Sequence, residues 1–159
     1  MNELKYLGYS IVFQEVPNEV TLAINISGCP HHCEGCHSKH LWDYEGDYIS
    51  DDIEWLIDKY NGLITCVCFM GGDQNQSEML QLIHIVRSHG LKVALYSGYT
   101  DNDTHFIPYR HTLDYLKIGP YIDKLGGLDK PTTNQRMYAY NSLDDEWEDI
   151  TYKFQEKYI

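Results

Sequence analysis

Residues 20–36 read Val20-Thr21-Leu22-Ala23-Ile24-Asn25-Ile26-Ser27-Gly28-Cys29-Pro30-His31-His32-Cys33-Glu34-Gly35-Cys36. The run Val20–Ser27 is apolar-rich and β-branched, and it predicts a strand. Gly28 ends the run, and Cys29, Cys33 and Cys36 follow at once. Upstream, Ser10–Val16 is rich in β-formers and Pro17-Asn18-Glu19 reads as a turn, so the two runs predict a hairpin. Downstream, His37–Asp47 has no clear period and reads as a loop.

Further along, helix and strand signals alternate. Ser50 is the expected N-cap of a helix, with Asp51 and Asp52 in its first turn, where negative charge suits the helix dipole. Ile53, Leu56, Ile57 and Tyr60 recur at helical spacing, and Gly62 is a stop signal. Leu63–Met70 reads as a buried strand and runs into Gly71-Gly72-Asp73. Ser77 is the next expected cap, Met79, Leu82, Ile83 and Val86 repeat the helical period, and Gly90 closes the segment. Leu91–Tyr96 reads as another buried strand, followed by Ser97-Gly98-Tyr99. The order β-α-β-α-β implies parallel strands with right-handed crossovers.

The pattern weakens beyond residue 100. A short helix is expected over Tyr109–Tyr115, a fourth strand over Leu116–Ile118 and a loop over Gly126–Thr133. Met137–Asn141 and an amphipathic piece near Trp147–Phe154 follow. The acidic run Asp144–Glu146, with Glu148 and Asp149, reads as a solvated face. With no linker or repeat, residues 1–159 read as one domain, with a core of about 11–138 and a C-terminal extension over 139–159. In βα-repeat folds the loops at the C-terminal strand ends carry the site. The cysteine loop, Gly71-Gly72-Asp73 and Ser97-Gly98-Tyr99 are therefore expected to meet at one mouth.

Composition narrows the partners. Twelve Lys+Arg against 24 Asp+Glu leave a net charge of −12, which argues against nucleic acid and anionic membrane surfaces. A hydrophobic fraction of 43% supports a packed core. No apolar run reaches the roughly 18–20 residues of a membrane span, and Met1–Tyr9 does not read as a signal peptide. Five cysteines, an odd number, fit a reduced cytoplasmic chain with a metal or redox site better than a disulfide framework.

The cluster Cys29-x3-Cys33-x2-Cys36 presents thiolates on a short loop, a donor set suited to soft metals or an iron–sulfur cluster. A [4Fe–4S] cluster held by three cysteines leaves one iron for a small chelating molecule. The alternative is structural zinc, with His31, His32, His37 or His40 completing a Cys3His set. The cysteines alone do not separate the two. Cys66 and Cys68 share one sheet face by the period of two, and their simplest reading is as small buried hydrophobes. Gly71 and Gly72 would let backbone approach a ligand closely, and Asp73 beside them could take an ammonium group or simply cap the next helix.

The cysteine spacing after a first strand and Gly71-Gly72-Asp73 after a second together resemble the radical S-adenosylmethionine (SAM) superfamily. Within it, the chain is similar to glycyl-radical activating enzymes, in particular those of anaerobic (class III) ribonucleoside-triphosphate reductases. Ile26-Ser27-Gly28-Cys29-Pro30-His31, Gly35-Cys36-His37, His40-Leu41-Trp42, Ser97-Gly98-Tyr99, Gly119-Pro120-Tyr121 and Thr133-Asn134-Gln135-Arg136 carry the likeness. It covers about Ile11 to Tyr138. The chain departs from the wider family at Gly35, where an aromatic is frequent, and at Asp73, where Glu is commoner. It also departs at Met70, in place of Ser or Thr, and at Ile118, in place of Asp.

The resemblance implies an α/β fold, a partial, open TIM-like βα barrel of about five or six strands, because a full barrel needs about 200–250 residues. It implies that Cys29, Cys33 and Cys36 hold a [4Fe–4S] cluster whose fourth iron is chelated by SAM. Gly71, Gly72 and Asp73 would hold the methionyl amino group. Ser97 and Gly98 would meet the ribose or carboxylate, and Gly35 would offer its backbone to the adenine. The implied reaction is reductive SAM cleavage followed by hydrogen abstraction from a glycine of the reductase. It needs no catalytic residue beyond the cluster and SAM, and it needs a one-electron donor. The rivals are an activase of another glycyl-radical enzyme, of the pyruvate formate-lyase type, and a non-catalytic zinc-binding module.

Overall fold

A computed structural model describes residues 3–30, 41–100 and 105–155. The elements are β1 (Lys5–Val12), β2 (Thr21–Ile26), β3 (Asp47–Tyr48), α1 (Ile49–Lys59), β4 (Cys66–Met70), α2 (Gln76–Ser88), β5 (Lys92–Tyr96), β6 (Tyr115–Ile118), β7 (Arg136–Asn141) and β8 (Glu146–Asp149). Short 3-10 turns lie at Ile107–Tyr109 and Thr151–Phe154. All eight strands join one mixed sheet in the order β3-β1-β2-β4-β5-β6-β7-β8, which is not closed.

The centre of the sheet is parallel: β2, β4, β5 and β6 run side by side. Antiparallel β1 and β3 flank one side, and β7 and β8 the other. Parallel neighbours cannot be joined by a tight turn, so the chain passes from β2 to β4 by way of β3 and α1, and from β4 to β5 through α2.

The two sheet faces differ in side-chain size. Ile24, Phe69, Leu95 and Leu116 are in register and pack with Ile53, Leu56 and Ile57 of α1 and Met79, Leu82, Ile83 and Val86 of α2. On the other face the register row is Ala23, Cys68, Ala94, Tyr115 and Ala139. Ala23, Cys68, Ala94 and Ala139 are small and leave room beside Tyr115 for chain from outside the sheet. Val16, Leu128 and Ile150 fill it, packed with Cys66, Cys68, Ala94 and Met137.

Both expected helix caps are corrected. Tyr48 precedes α1 without a side-chain capping bond, and Ser50 lies inside the first turn with Asp51 and Asp52. Asn75, not Ser77, caps α2: its Oδ1 accepts from the Glu78 amide at 3.2 Å. Glu78 is turned elsewhere, accepting the Leu4 amide at 2.9 Å and tying α2 to the start of β1. The hairpin is also shifted. Its first strand is Lys5–Val12, and Val16 is a fully buried loop anchor. The helix expected over Tyr109–Tyr115 is a 3-10 turn that ends at Tyr109, and Tyr115 opens β6.

The N-terminal end of the parallel strands is clasped by one carboxylate. Glu19 accepts from Thr65 Oγ1 at 2.8 Å, Tyr115 OH at 2.8 Å and Lys92 Nζ at 3.1 Å. It joins the hairpin to residues at the starts of three strands while only 8% exposed. Glu19→Leu is expected to cost about 1 kcal/mol, because the half-buried Tyr115 hydroxyl loses its partner while the exposed Thr65 and Lys92 donors can turn to water. Urea unfolding of the variant checks this, and an unchanged midpoint would show that the clasp contributes nothing.

Candidate functional site

A cavity of about 160 Å³ lies at the C-terminal ends of the four parallel strands, where β-α loops converge. Asn25, Met70, Tyr96 and Lys117 form its floor from the sheet, and Cys29, the Gly71-Gly72-Asp73 turn, Ser97 and Gly98 form its rim. The expected meeting of three loops is therefore found for the parts of them described. Cys33, Gly35 and Cys36 lie outside the described residues.

Cys29 is half-buried and its backbone is pinned. The Gly28 amide donates to Asp43 O at 3.1 Å and the Cys29 amide to Leu41 O at 3.0 Å. These bonds close the base of the cysteine loop. Ser27 Oγ reinforces the base by bonding Glu45 O at 2.5 Å. Gly28, with φ of +74°, makes the turn out of β2.

The second loop is built for backbone approach. Gly71 and Gly72 both have φ of +100°, a conformation costly for L residues. A Cβ on Gly72 would lie 2.6 Å from both Ile26 Cδ1 and Met79 Cε. The turn thus sits directly on β2 and α2, which delivers Asp73 into the cavity wall. Asp73 is 3% exposed, and both of its hydrogen bonds fall on Oδ2: from Ser97 Oγ at 2.5 Å and from His105 Nε2 at 2.8 Å. Ser97 is fully buried, and its Oγ also accepts the Tyr99 amide at 3.0 Å. Gly98 only lines the cavity. Burial first, then the Asp73 carboxylate and Cys29, push the Tyr99 phenol upward.

Residues absent from the sequence expectation complete the site. Lys117 is buried on β6, and its Nζ donates to Gly119 O at 2.7 Å and Ser97 O at 3.1 Å, with the Tyr96 ring centroid 5.8 Å away. A lysine on a central strand is the signal that could have found it, since buried charge is rare without a partner or a task. Gln135 is 6% exposed and lines the same cavity, so one residue of the quoted Asn134-Gln135-Arg136 stretch belongs here. Arg136 instead faces Asp149 across β7 and β8 at 3.5 Å. His105 lies in an irregular segment that carried no periodic signal.

Cys66 and Cys68 share one face, as the period of two predicts. Both are fully buried in the small-residue layer. Burial, with Glu19 adding to it, pushes the Cys66 thiol up to about 12, and burial and Cys66 raise Cys68 well above its ordinary value. They are protonated core thiols, unsuited to metal.

Residues 19–136 match the model of the family described as 4Fe-4S single cluster domain, and the chain belongs to that family. No curated protein and no solved structure matches. The matched span includes the whole Cys29, Cys33, Cys36 set, and thiolates are the donors such a cluster takes. The residues fit the group: Cys29 is held at the mouth by its backbone, and Gly71 and Gly72 keep the facing turn clear of side chains. Family membership favours iron–sulfur over zinc. No helix among the described residues is long and apolar enough to cross a membrane.

Proposed function

We propose that the chain is a radical SAM activase that generates a glycyl radical on an anaerobic ribonucleoside-triphosphate reductase. The observation that carries this reading is the cavity bounded by Cys29, Gly71-Gly72-Asp73, Ser97 and Lys117. Its walls hold one buried carboxylate and one buried ammonium, and together these complement an α-amino acid zwitterion, the chemistry of SAM's methionyl end.

In this reading Cys29, Cys33 and Cys36 hold the cluster. Asp73 offers its carboxylate to the ligand's ammonium, and Lys117 faces the ligand's carboxylate. Met70, Tyr96 and Pro120 give the cavity apolar walls that exclude water. When bound, a reduced cluster with SAM would supply one-electron cleavage of SAM's S–C5′ bond and, from it, the means to abstract a hydrogen atom from a glycine Cα. No side chain of this chain needs to move a proton. The parallel centre, the helices on one face and the unclosed sheet support a partial radical SAM barrel whose open side admits a loop of the reductase. A cytoplasmic setting and an external one-electron donor complete the proposal.

The test is anaerobic reconstitution followed by reduction with SAM, with and without the reductase. Expected are about four irons per chain, 5′-deoxyadenosine, and a glycyl electron paramagnetic resonance signal only when the reductase is present. Cleavage without a glycyl signal would leave a radical SAM protein with a different partner. One zinc and no iron would end the reading.

A further inference from the structure

Asp73 is the only carboxylate on the cavity wall among the described residues, and a second-layer histidine holds it. His105 is 15% exposed by side chain and lies behind Asp73, with Nε2 2.8 Å from Oδ2. Its other edge faces the start of α2. Gln76 Nε2 lies 2.9 Å from His105 Nδ1 and 3.0 Å from His105 O. That pair of contacts fixes the hydrogens. A backbone carbonyl only accepts, so the Gln76 amide must present its nitrogen to this side. Nδ1 then accepts the second Gln76 hydrogen, and the ring's own hydrogen must sit on Nε2, aimed at Asp73. Tyr99 stacks on the imidazole at a centroid separation of 3.9 Å, and Phe106 meets it edge-on at 4.8 Å. The ring is thus fixed in plane, direction and tautomer.

The order of groups excludes a hydrolytic triad. Ser97 Oγ donates to Asp73 rather than to the histidine, so no imidazole faces the hydroxyl as a triad requires. Both donors converge on Oδ2, while Oδ1 takes no hydrogen bond from the described residues. Two donors on one oxygen hold the carboxylate's plane and leave the other oxygen for a cation.

We propose that His105, set by Gln76, is a positioning residue that aims Asp73 at the ligand's ammonium group; this rests on the radical SAM reading. The imidazole itself does not touch the ligand. It acts through Asp73, so its effect should vanish once Asp73 no longer carries a charge.

The test uses the full chain, anaerobically reconstituted and left oxidised, so that SAM binds without being cleaved. SAM affinity is measured by calorimetry for the wild type, His105→Phe, His105→Gln, Asp73→Asn and the Asp73→Asn/His105→Phe pair. Iron content and thermal midpoint are recorded alongside. His105→Phe is expected to weaken binding about tenfold at unchanged iron content, the scale of one lost hydrogen bond to a charged group. His105→Gln, whose side-chain N–H can stand in for Nε2–H, should recover most of that loss. The double variant should bind no more weakly than Asp73→Asn alone. Nitrogen-15 spectra of the metal-free chain should show the Nε2–H tautomer. Wild-type affinity in His105→Phe, or equal loss in His105→Phe and His105→Gln, overturns the positioning role alone. A wild-type chain that carries its cluster but does not bind SAM overturns the radical SAM reading, and this role with it.

Discussion

Cys29→Ala is expected to leave the anaerobically reconstituted chain with less than one iron, against about four for the wild type. A [4Fe–4S] cluster needs thiolates that are both reachable and willing to ionise. Cys29 meets the first condition, being half-buried on the rim of the cavity with its amide pinned to Leu41 O. Loss of one of three thiolates leaves two irons without protein ligands, so assembly fails outright rather than by degrees. Cys66→Ala and Cys68→Ala provide the internal contrast. Their sulfurs are fully buried, and burial holds the Cys66 thiol up at about 12, far from thiolate at neutral pH. Both variants should keep their iron and lose about 1 kcal/mol each as small core truncations. Iron and sulfide analysis on the three variants decides. Iron lost from the Cys68 variant and kept in the Cys29 variant would move the cluster to the wrong side of the sheet.

How far the sequence could be read depended on the length scale of each signal. Ile53, Leu56 and Ile57, and Met79, Leu82, Ile83 and Val86, were legible because a helix repeats its apolar face over several turns. The parallel strands were legible as short apolar runs ending in glycine. Caps were not: Ser50 and Ser77 were the expected caps, yet α1 has no side-chain cap and Asn75 caps α2, because only the path of the preceding chain decides which side chain meets an N–H. β3 has two residues and no period to detect. Val16 looked like the end of a strand because burial and strand propensity share a vocabulary, yet it is buried from a loop. In the site, Gly71, Gly72, Asp73 and Ser97 were found through their place after strands. His105 was missed because an irregular segment places its side chains by tertiary contact alone, and Lys117 because a four-residue strand has too short a period to mark one buried lysine as a site residue.

The base of the cysteine loop sets up the sharpest structural contrast. Gly46, which leads into β3, has φ of +107°, and Gly8 in β1 has φ of +100°. Both therefore ask the same conformational strain of a substituent, about 1–2 kcal/mol for an L residue. Their surroundings differ. A Cβ on Gly8 meets nothing within 4 Å. A Cβ on Gly46 would lie 2.0 Å from Tyr6 O and 2.8 Å from Tyr6 C, and both are backbone atoms of β1. No rotamer relieves that overlap, so the chain must move away from β1. Moving it breaks the pairing of Tyr6 with Asp47 and pulls Glu45 from Ser27 Oγ. Gly46→Ala should accordingly cost about 3 kcal/mol or more, and Gly8→Ala only the shared strain. Because Ser27 and Glu45 brace the base from which Cys29 projects, the Gly46 variant should also lose iron faster to a chelator than the Gly8 variant. Urea unfolding of the metal-free chains and chelation rates of the reconstituted ones measure the two effects separately. Equal unfolding losses for the pair would mean that the close approach of residue 46 to β1 is absent, and with it the brace on the loop.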